Sequence, residues 1–195
     1  TGNVPGIFTN TDIRNSNYNI KRDWYYNNAA DAALFGKRAP ITEQTWFTTK
    51  TLFPAITKFF YGRAENLSLT GSYKDRMKFR LAETYLLLAE AYLGQSNPGK
   101  AADAVNEVRR RAGAGDVSAA DMDMDFLLDE RIRELVGEES RRFTLVRTKK
   151  YVDRVKQYNP AIASKVTENH ALWPIPQAIR DANTGAPFPQ NPGYQ

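Results

Sequence analysis

The sequence predicts a mainly α-helical fold built from packed helical hairpins, with a loop-rich N-terminal lobe and an extended, proline-rich C-terminal tail. Three observations predict it. From Lys78 to Gly113 the chain reads KFRLAETYLLLAEAYLGQ, then SNPG, then KAADAVNEVRRRAG, with apolar residues at three- and four-residue steps on either side of the turn. Seven asparagines fall in the first 28 residues, and asparagine favours turns. Five of the ten prolines fall in the last 22 residues, where they exclude helix interior.

Residues 1–76 read as a loop-rich lobe with aromatic anchors, since twelve of the 23 aromatic residues lie in the first 61. A short helix is expected over Asn28–Phe35, and an extended piece over the β-favouring Ile56–Tyr61. Residues 77–195 form the second region. Its first helix carries Phe79, Ala82, Tyr85, Leu86, Ala89, Tyr92 and Leu93 on one face, with Gly94 as the expected stop. Asn97-Pro98-Gly99 is turn chemistry. The second helix presents Ala101, Val105, Val108 and Ala112, and the alanines allow two backbones to approach closely. The hairpin is about the length of one tetratricopeptide unit, so the hairpins are tetratricopeptide-like. A single hairpin cannot bury both of its faces.

After the hairpin, Ser118 and Asp121 have capping-box spacing. A helix is then expected from about Asp123 to Gly137, burying Phe126, Leu127, Ile132, Leu135 and Val136. Gly137 marks a break or a close backbone approach. A continuation carries Phe143, Leu145 and Val146, and a further amphipathic turn or two carries Val152 and Val155, ending at Tyr158-Asn159-Pro160. Leu172-Trp173-Pro174-Ile175-Pro176 is expected to lie extended on the helical body, with Trp173 in a packing role.

Composition narrows the function classes. The chain has 195 residues, 42% hydrophobic and 25% charged, as in ordinary globular domains. No apolar run approaches the roughly 18 residues of a membrane-spanning helix. The absence of cysteine excludes disulfides and thiolate metal sites, and the single histidine, His170, argues against a multi-histidine metal site or a histidine relay. No metal or cofactor is expected. The net charge is +5. Its basic clusters, Arg109 to Arg111, Arg141-Arg142 and Lys149-Lys150, are interleaved with Glu130, Glu134, Glu138 and Glu139. That mixture reads as solvated or ion-paired helix faces, so no nucleic-acid partner is expected.

Catalytic patterns are weak. The carboxylate pairs Asp129-Glu130 and Glu138-Glu139 point about 100° apart on a helix, so neither is preset to flank one bond. No nucleophile elbow, phosphate loop or dinucleotide fingerprint occurs. Glu83 and Glu90 are seven apart and share a helix face. Buried acids need partners, so an ion-pair network of Glu83 and Glu90 with Arg109 and Arg131 (or Arg133) is expected, with a calcium site as the lesser reading.

Four phrases, in order, resemble the C-terminal region of the SusD/RagB family over roughly residues 50 to 195. They are RLAETYLLLAEAYL…AADAVNEVRRRAG from Arg80 to Gly113, LLDERIRELVGEESRRFTLVR from Leu127 to Arg147, LWPIPQ from Leu172 to Gln177, and QNPGY from Gln190 to Tyr194. The resemblance implies an outward-facing bacterial outer-membrane lipoprotein that binds oligo- or polysaccharide, or another nutrient, as a lid over a SusC-like TonB-dependent transporter, without catalysis. The family's lipidated cysteine and earlier helical repeats do not lie in these residues, so the chain reads as the last third to half of such a protein, with its lipid anchor elsewhere. Glu139 and Thr144 stand where many members have Gly and Asp.

Sugars present flat apolar faces edged by hydroxyls, which aromatic platforms with nearby amides match. Trp24, Tyr25, Tyr26 and Asn27 have that chemistry, and Trp46 adds a second wall. The competing functions are a tetratricopeptide-like scaffold binding a partner protein in its groove, and a helical glycosidase, which lacks a credible acid/base pair.

Overall fold

The computed structural model describes residues 11–42, 53–59, 75 and 77–195. Two compact units divide the chain, Thr1–Glu138 and Glu139–Gln195. The N-terminal lobe and the helical hairpin therefore belong to the same unit.

In the first unit the hairpin is α1 (Leu81–Gly94) and α2 (Pro98–Arg111), and α3 (Met124–Leu135) packs on both. The core is small and alanine-rich. Leu86, Ala89, Ala101, Val105 and Leu127 are completely buried, with Tyr85, Tyr92 and Leu93 packed around them. Alanine at the α1–α2 crossing keeps the backbones close and leaves few gaps. Phe79 does not join this face: it precedes the first turn of α1 and is 87% exposed. Gly94 is the last residue of α1, but the left-handed position that turns the chain is Ser96, at φ 56°. Asn97 is more than a turn residue. Its side chain accepts from the Lys100 amide at 3.2 Å and caps α2, while Pro98 occupies the first position, where its missing amide proton costs nothing.

Asn106, 5% exposed, explains how the next loop is held. Its side-chain carbonyl accepts from the Val117 amide at 2.8 Å and its amide donates to the Val117 carbonyl at 3.0 Å. Ser118 donates to Asp121 at 2.6 Å within a turn, and the cap of α3 is instead Asp123, which accepts from the Phe126 amide at 2.7 Å.

α3 departs from the expected apolar stripe. Leu127 and Leu135 are buried as expected, but so are Leu128, Glu130, Arg131, Arg133 and Glu134, while Ile132 is 41% exposed. The face turned inward is selected by ion pairing as well as by hydrophobicity. Gly137, at φ 77°, ends the segment; a Cβ there would stand 3.1 Å from the Phe59 ring, so it is both a break and a close approach.

The N-terminal segment docks onto the end of α2. Ile13 donates its amide to the Ala112 carbonyl at 2.9 Å, and a 3₁₀ turn, Ile13–Asn15, follows. Gly113, at φ 71°, passes so close to Thr11 that a Cβ would meet its carbonyl oxygen at 2.9 Å. Strands β1 (Ile20–Lys21) and β2 (Ala55–Ile56) pair antiparallel, with Ile20 opposite Ile56. The extended piece expected over Ile56–Tyr61 thus starts in β2, and its last two residues lie outside the described ones. The helix expected over Asn28–Phe35 is absent: these residues form successive turns held by Asn28 and Asp31, because Asn and Asp side chains offer the backbone local alternatives to a helix.

The second unit contains α4 (Arg141–Arg147), packed on α5 (Tyr151–Tyr158), then a 3₁₀ turn (Glu168–Ala171) and α6 (Gln177–Ala182). Leu145 and Val152 are buried between them, whereas Phe143 is 64% exposed. α4 ends through Lys149 in the left-handed region at φ 59°, with the Lys150 amide returning to the Leu145 carbonyl at 2.8 Å. The tail folds on itself. Gln190 brackets Ile175, accepting from its amide at 2.7 Å and donating to its carbonyl at 2.9 Å, and Asn191 donates to the Trp173 carbonyl at 2.8 Å. Leu172–Pro176 is extended as expected, but Leu172 and Trp173, expected to pack on the helical body, keep 43% and 59% of their surface exposed, and the short helix α6 after it is not expected from the prolines.

Among the described residues, no helix is long and apolar enough to cross a membrane, and no cluster of acidic or histidine side chains is arranged to hold a metal ion.

Candidate functional site

Two features of the first unit have the chemistry of a site: a charged cluster beside a cavity, and an aromatic hairpin.

The charged cluster forms because α3 places Glu130 and Glu134 four residues apart on its inner face. Arg14 reaches both, at 2.7 and 3.1 Å, and also grips Asp12 at 2.7 Å. Arg109 and Arg133 bind the other oxygen of Glu130 at 2.7 and 2.9 Å. Arg80 and Arg111 reach Glu134 at 2.6 and 2.7 Å. Glu138 takes Arg80 and Lys58. Arg109 and Arg133 each place a guanidinium 5.4 Å from the Phe126 ring centroid.

The electrostatics follow from this geometry. Burial alone would raise the Glu130 carboxyl, but Arg133, Arg14 and Arg109 outweigh it and hold the group below the usual carboxylate range. For Glu138, burial is likewise outweighed, by Arg80 and Lys58. Burial works against the Arg14 cation, and its bonds to Asp12 and Glu130 more than restore it.

The network includes cations beyond the expected ones. Arg109 belongs to it, through Glu130. Glu83 is half-buried on α1 and makes no ion pair among the described residues; Glu90 is half-buried further along α1, and Arg131 is 2% exposed on α3. Arg14, Arg80 and Lys58, which sequence reasoning did not single out, are at the centre. The available signal was the pair Glu130 and Glu134 at helical spacing beside Leu127; the cations that answer them come from distant parts of the chain. A cavity of about 220 Å³ opens beside the cluster, walled by Ile13, Ile20, Ile56 and Val136 and edged by Arg14, Lys58, Arg80, Arg111, Arg133 and Glu134.

The aromatic hairpin is formed by residues 24–39. Ala39 donates its amide to Trp24 at 2.8 Å, Tyr26 donates to Lys37 at 3.0 Å, and Tyr25 bridges Arg38 in antiparallel fashion. Gly36 closes the turn at φ 76°. Side chains alternate along such a ladder, so Trp24 and Tyr26 share one face and Tyr25 takes the other, with Arg38, which bonds Asp23 at 2.7 Å. Trp24 and Tyr26 therefore form a two-ring shelf on one face of the ladder, and Tyr25 stands on the other. The Trp24 indole donates to the Phe53 carbonyl at 3.2 Å, and the Lys21 ammonium sits 4.2 Å over its ring. Tyr25 and Tyr26 are 59% and 38% exposed, and Asn27 is exposed beside them. Trp46 lies outside the described residues.

In the second unit, Trp173 keeps 59% of its surface exposed. It stacks on the Arg142 guanidinium at 4.2 Å, and Tyr151 lies 4.5 Å from the same group.

Comparison with known proteins identifies the class. The SusD family model matches residues 1–194, so the chain belongs to the SusD family. The match takes in the N-terminal lobe, which the sequence phrases alone did not reach. The chain is 29% identical to SusD-like protein P25 of Formosa agariphila over 133 residues, which is 64% of this chain and 25% of that protein. Among solved structures, BT4246 superposes with a TM-score of 0.51 at 27% identity, covering 64% of this chain and 24% of its own. A laminarin binding SusD-like protein gives a TM-score of 0.45 at 30% identity, over 60% of this chain and 22% of that one. The chain spans about a quarter of the length of the curated relative, at 25%.

Proposed function

We propose that this chain is part of a non-enzymatic glycan- or nutrient-binding component of an outer-membrane uptake system. The protein sits on the cell surface through a lipid anchor and passes its ligand to a SusC-like TonB-dependent transporter. The SusD family match across residues 1–194 carries this reading.

Two features of the site support it. The half-buried Trp24 ring and the exposed Tyr26 ring, with exposed Asn27 alongside, offer stacking surface and hydrogen-bonding groups, the combination that sugar rings require. The carboxylates of the charged cluster are poor candidates for glycosidase chemistry. A general acid must hold its proton near neutral pH, and Glu130 and Glu138 are kept ionised by the arginines and, for Glu138, Lys58 around them. Binding through a shallow shelf yields modest affinity per sugar, which repeated contacts along a polymer raise.

Affinity electrophoresis of the intact protein through gels containing neutral or acidic polysaccharides tests the reading. At least one polysaccharide is expected to retard the protein, and Trp24→Ala and Tyr26→Ala to restore most of its mobility without loss of the folded circular-dichroism spectrum. Normal mobility in every gel would refute glycan binding; retardation unchanged by both substitutions would move the contact away from the shelf.

A further inference from the structure

We infer that the cavity beside the charged cluster is a subsite for an anionic sugar, one carrying a carboxylate or a sulfate ester, and that Arg111 at its edge is the group that recognises the anion. The inference rests on the glycan-binding reading and names a ligand class for it.

The cavity combines two surfaces seldom found together. Ile13, Ile20, Ile56 and Val136 give it an apolar wall, and five of its remaining edge residues, Arg14, Lys58, Arg80, Arg111 and Arg133, are cationic. A sugar has matching sides, a C–H face for the wall and a charged substituent for the rim. At about 220 Å³ the space is smaller than the roughly 300–1,000 Å³ of drug-sized pockets, which suits one sugar unit rather than an oligomer.

The cations are not equivalent. Arg14 uses all three guanidinium nitrogens on Asp12, Glu130 and Glu134. Arg80 uses all three on Glu134 and Glu138. Arg111 differs: one nitrogen, Nη2, holds both Glu134 oxygens at 2.7 Å, and the side chain is 54% exposed. Its Nε and Nη1 donors bond nothing else among the described residues. The grip of Nη2 on Glu134 fixes the guanidinium plane, so the Nε and Nη1 donors point out on opposite sides of the group, each able to give one charge-assisted hydrogen bond. A carboxylate or sulfate oxygen accepting from one of these donors pairs charge with charge, which strengthens the bond beyond what a neutral hydroxyl makes. Glu134, the acid at the rim, is met by Arg14, Arg80 and Arg111 together, which offsets its repulsion of an incoming anion. A cluster serving stability alone would also bury these ion pairs, but would need neither the cavity nor an arginine with an outward edge.

Isothermal titration of the intact protein with glucuronate, glucose 6-sulfate and glucose tests this. At least one anionic sugar is expected to bind while glucose does not, and the preference between the two identifies carboxylate or sulfate as the recognised group. Arg111→Gln is expected to weaken anionic-sugar binding at least tenfold, and Arg111→Lys to weaken it less, since the charge remains. Because Arg111 also touches Glu134, an Ile56→Trp variant that fills the cavity from its apolar side should abolish binding with the ion pairs intact. Equal binding of glucose, no binding of either anionic sugar, or binding unaffected by both Arg111→Gln and Ile56→Trp would overturn the subsite. These outcomes separate from the wider reading: polysaccharide retardation that survives them leaves glycan binding in place and removes only the anionic subsite.

Discussion

Replacing Arg14 with methionine removes the cation that joins the N-terminal segment to α3. The variant keeps the side-chain length but leaves Asp12, whose side chain is 1% exposed, without its ion-pair partner. Glu130 retains Arg109 and Arg133, and Glu134 retains Arg80 and Arg111, so the orphaned charge is mainly Asp12. Breaking a buried pair from one side costs about 3–5 kcal/mol, against about 0–1 kcal/mol for an exposed one. With a urea slope of about 2 kcal/mol/M, the unfolding midpoint should fall by about 1.5–2.5 M. Equilibrium urea unfolding followed by circular dichroism measures this directly. The double variant Asp12→Asn with Arg14→Met should recover more than half of the loss, because it no longer strands a carboxylate. A midpoint shift under about 0.5 M for Arg14→Met, about 1 kcal/mol at that slope, would place Arg14 among ordinary surface ion pairs and refute the network as the link between lobe and helices.

Further outcomes follow from the same geometry. The folded state depresses the Glu130 and Glu138 carboxyls, so their contribution is complete above the ordinary value of 4.5 and is lost as pH falls below it. Melting temperature should therefore drop on acidification below about 4.5, less steeply for Glu130→Gln; a rise on acidification would contradict the sign. Gly113→Ala should cost about 1–3 kcal/mol in urea unfolding, through its positive φ and the 2.9 Å approach to Thr11, while Gly185→Ala, with open space around it, should change little. Lys149→Gly should leave stability unchanged or raise it by up to about 1 kcal/mol, since glycine takes the left-handed turn after α4 without strain; a clear loss would show that the lysine side chain holds the turn.

The hairpin was legible because its determinants are local. Helical spacing placed Leu86, Ala89, Ala101 and Val105 in the core, and Asn97-Pro98 marked the junction between helices. The loop lobe was legible as a class but not in detail. Asn28–Phe35 has adequate helix formers, yet side-chain bonds from Asn28 and Asp31 capture the backbone in turns. α3 was misjudged at Ile132 because a periodicity argument assigns the inner face to apolar residues, and here Glu130, Arg133 and Glu134 compete for it with partners supplied from elsewhere in the unit. Those partners, Arg14 and Arg80, are 116 and 54 residues from their acceptors, and no spacing rule links them. The aromatic run was visible in the sequence, but its division into a Trp24–Tyr26 face and a Tyr25 face required the ladder with Lys37 and Ala39. Membership of the SusD family was readable because four short phrases kept their order along the chain.

The central claim is that the protein carrying this chain holds a glycan without altering it. Passing polysaccharide over the immobilised intact protein and sizing what elutes measures both halves at once. Delayed elution of polymer of unchanged length is expected. Prompt elution of every polysaccharide offered, or recovery of shortened chains, would contradict it.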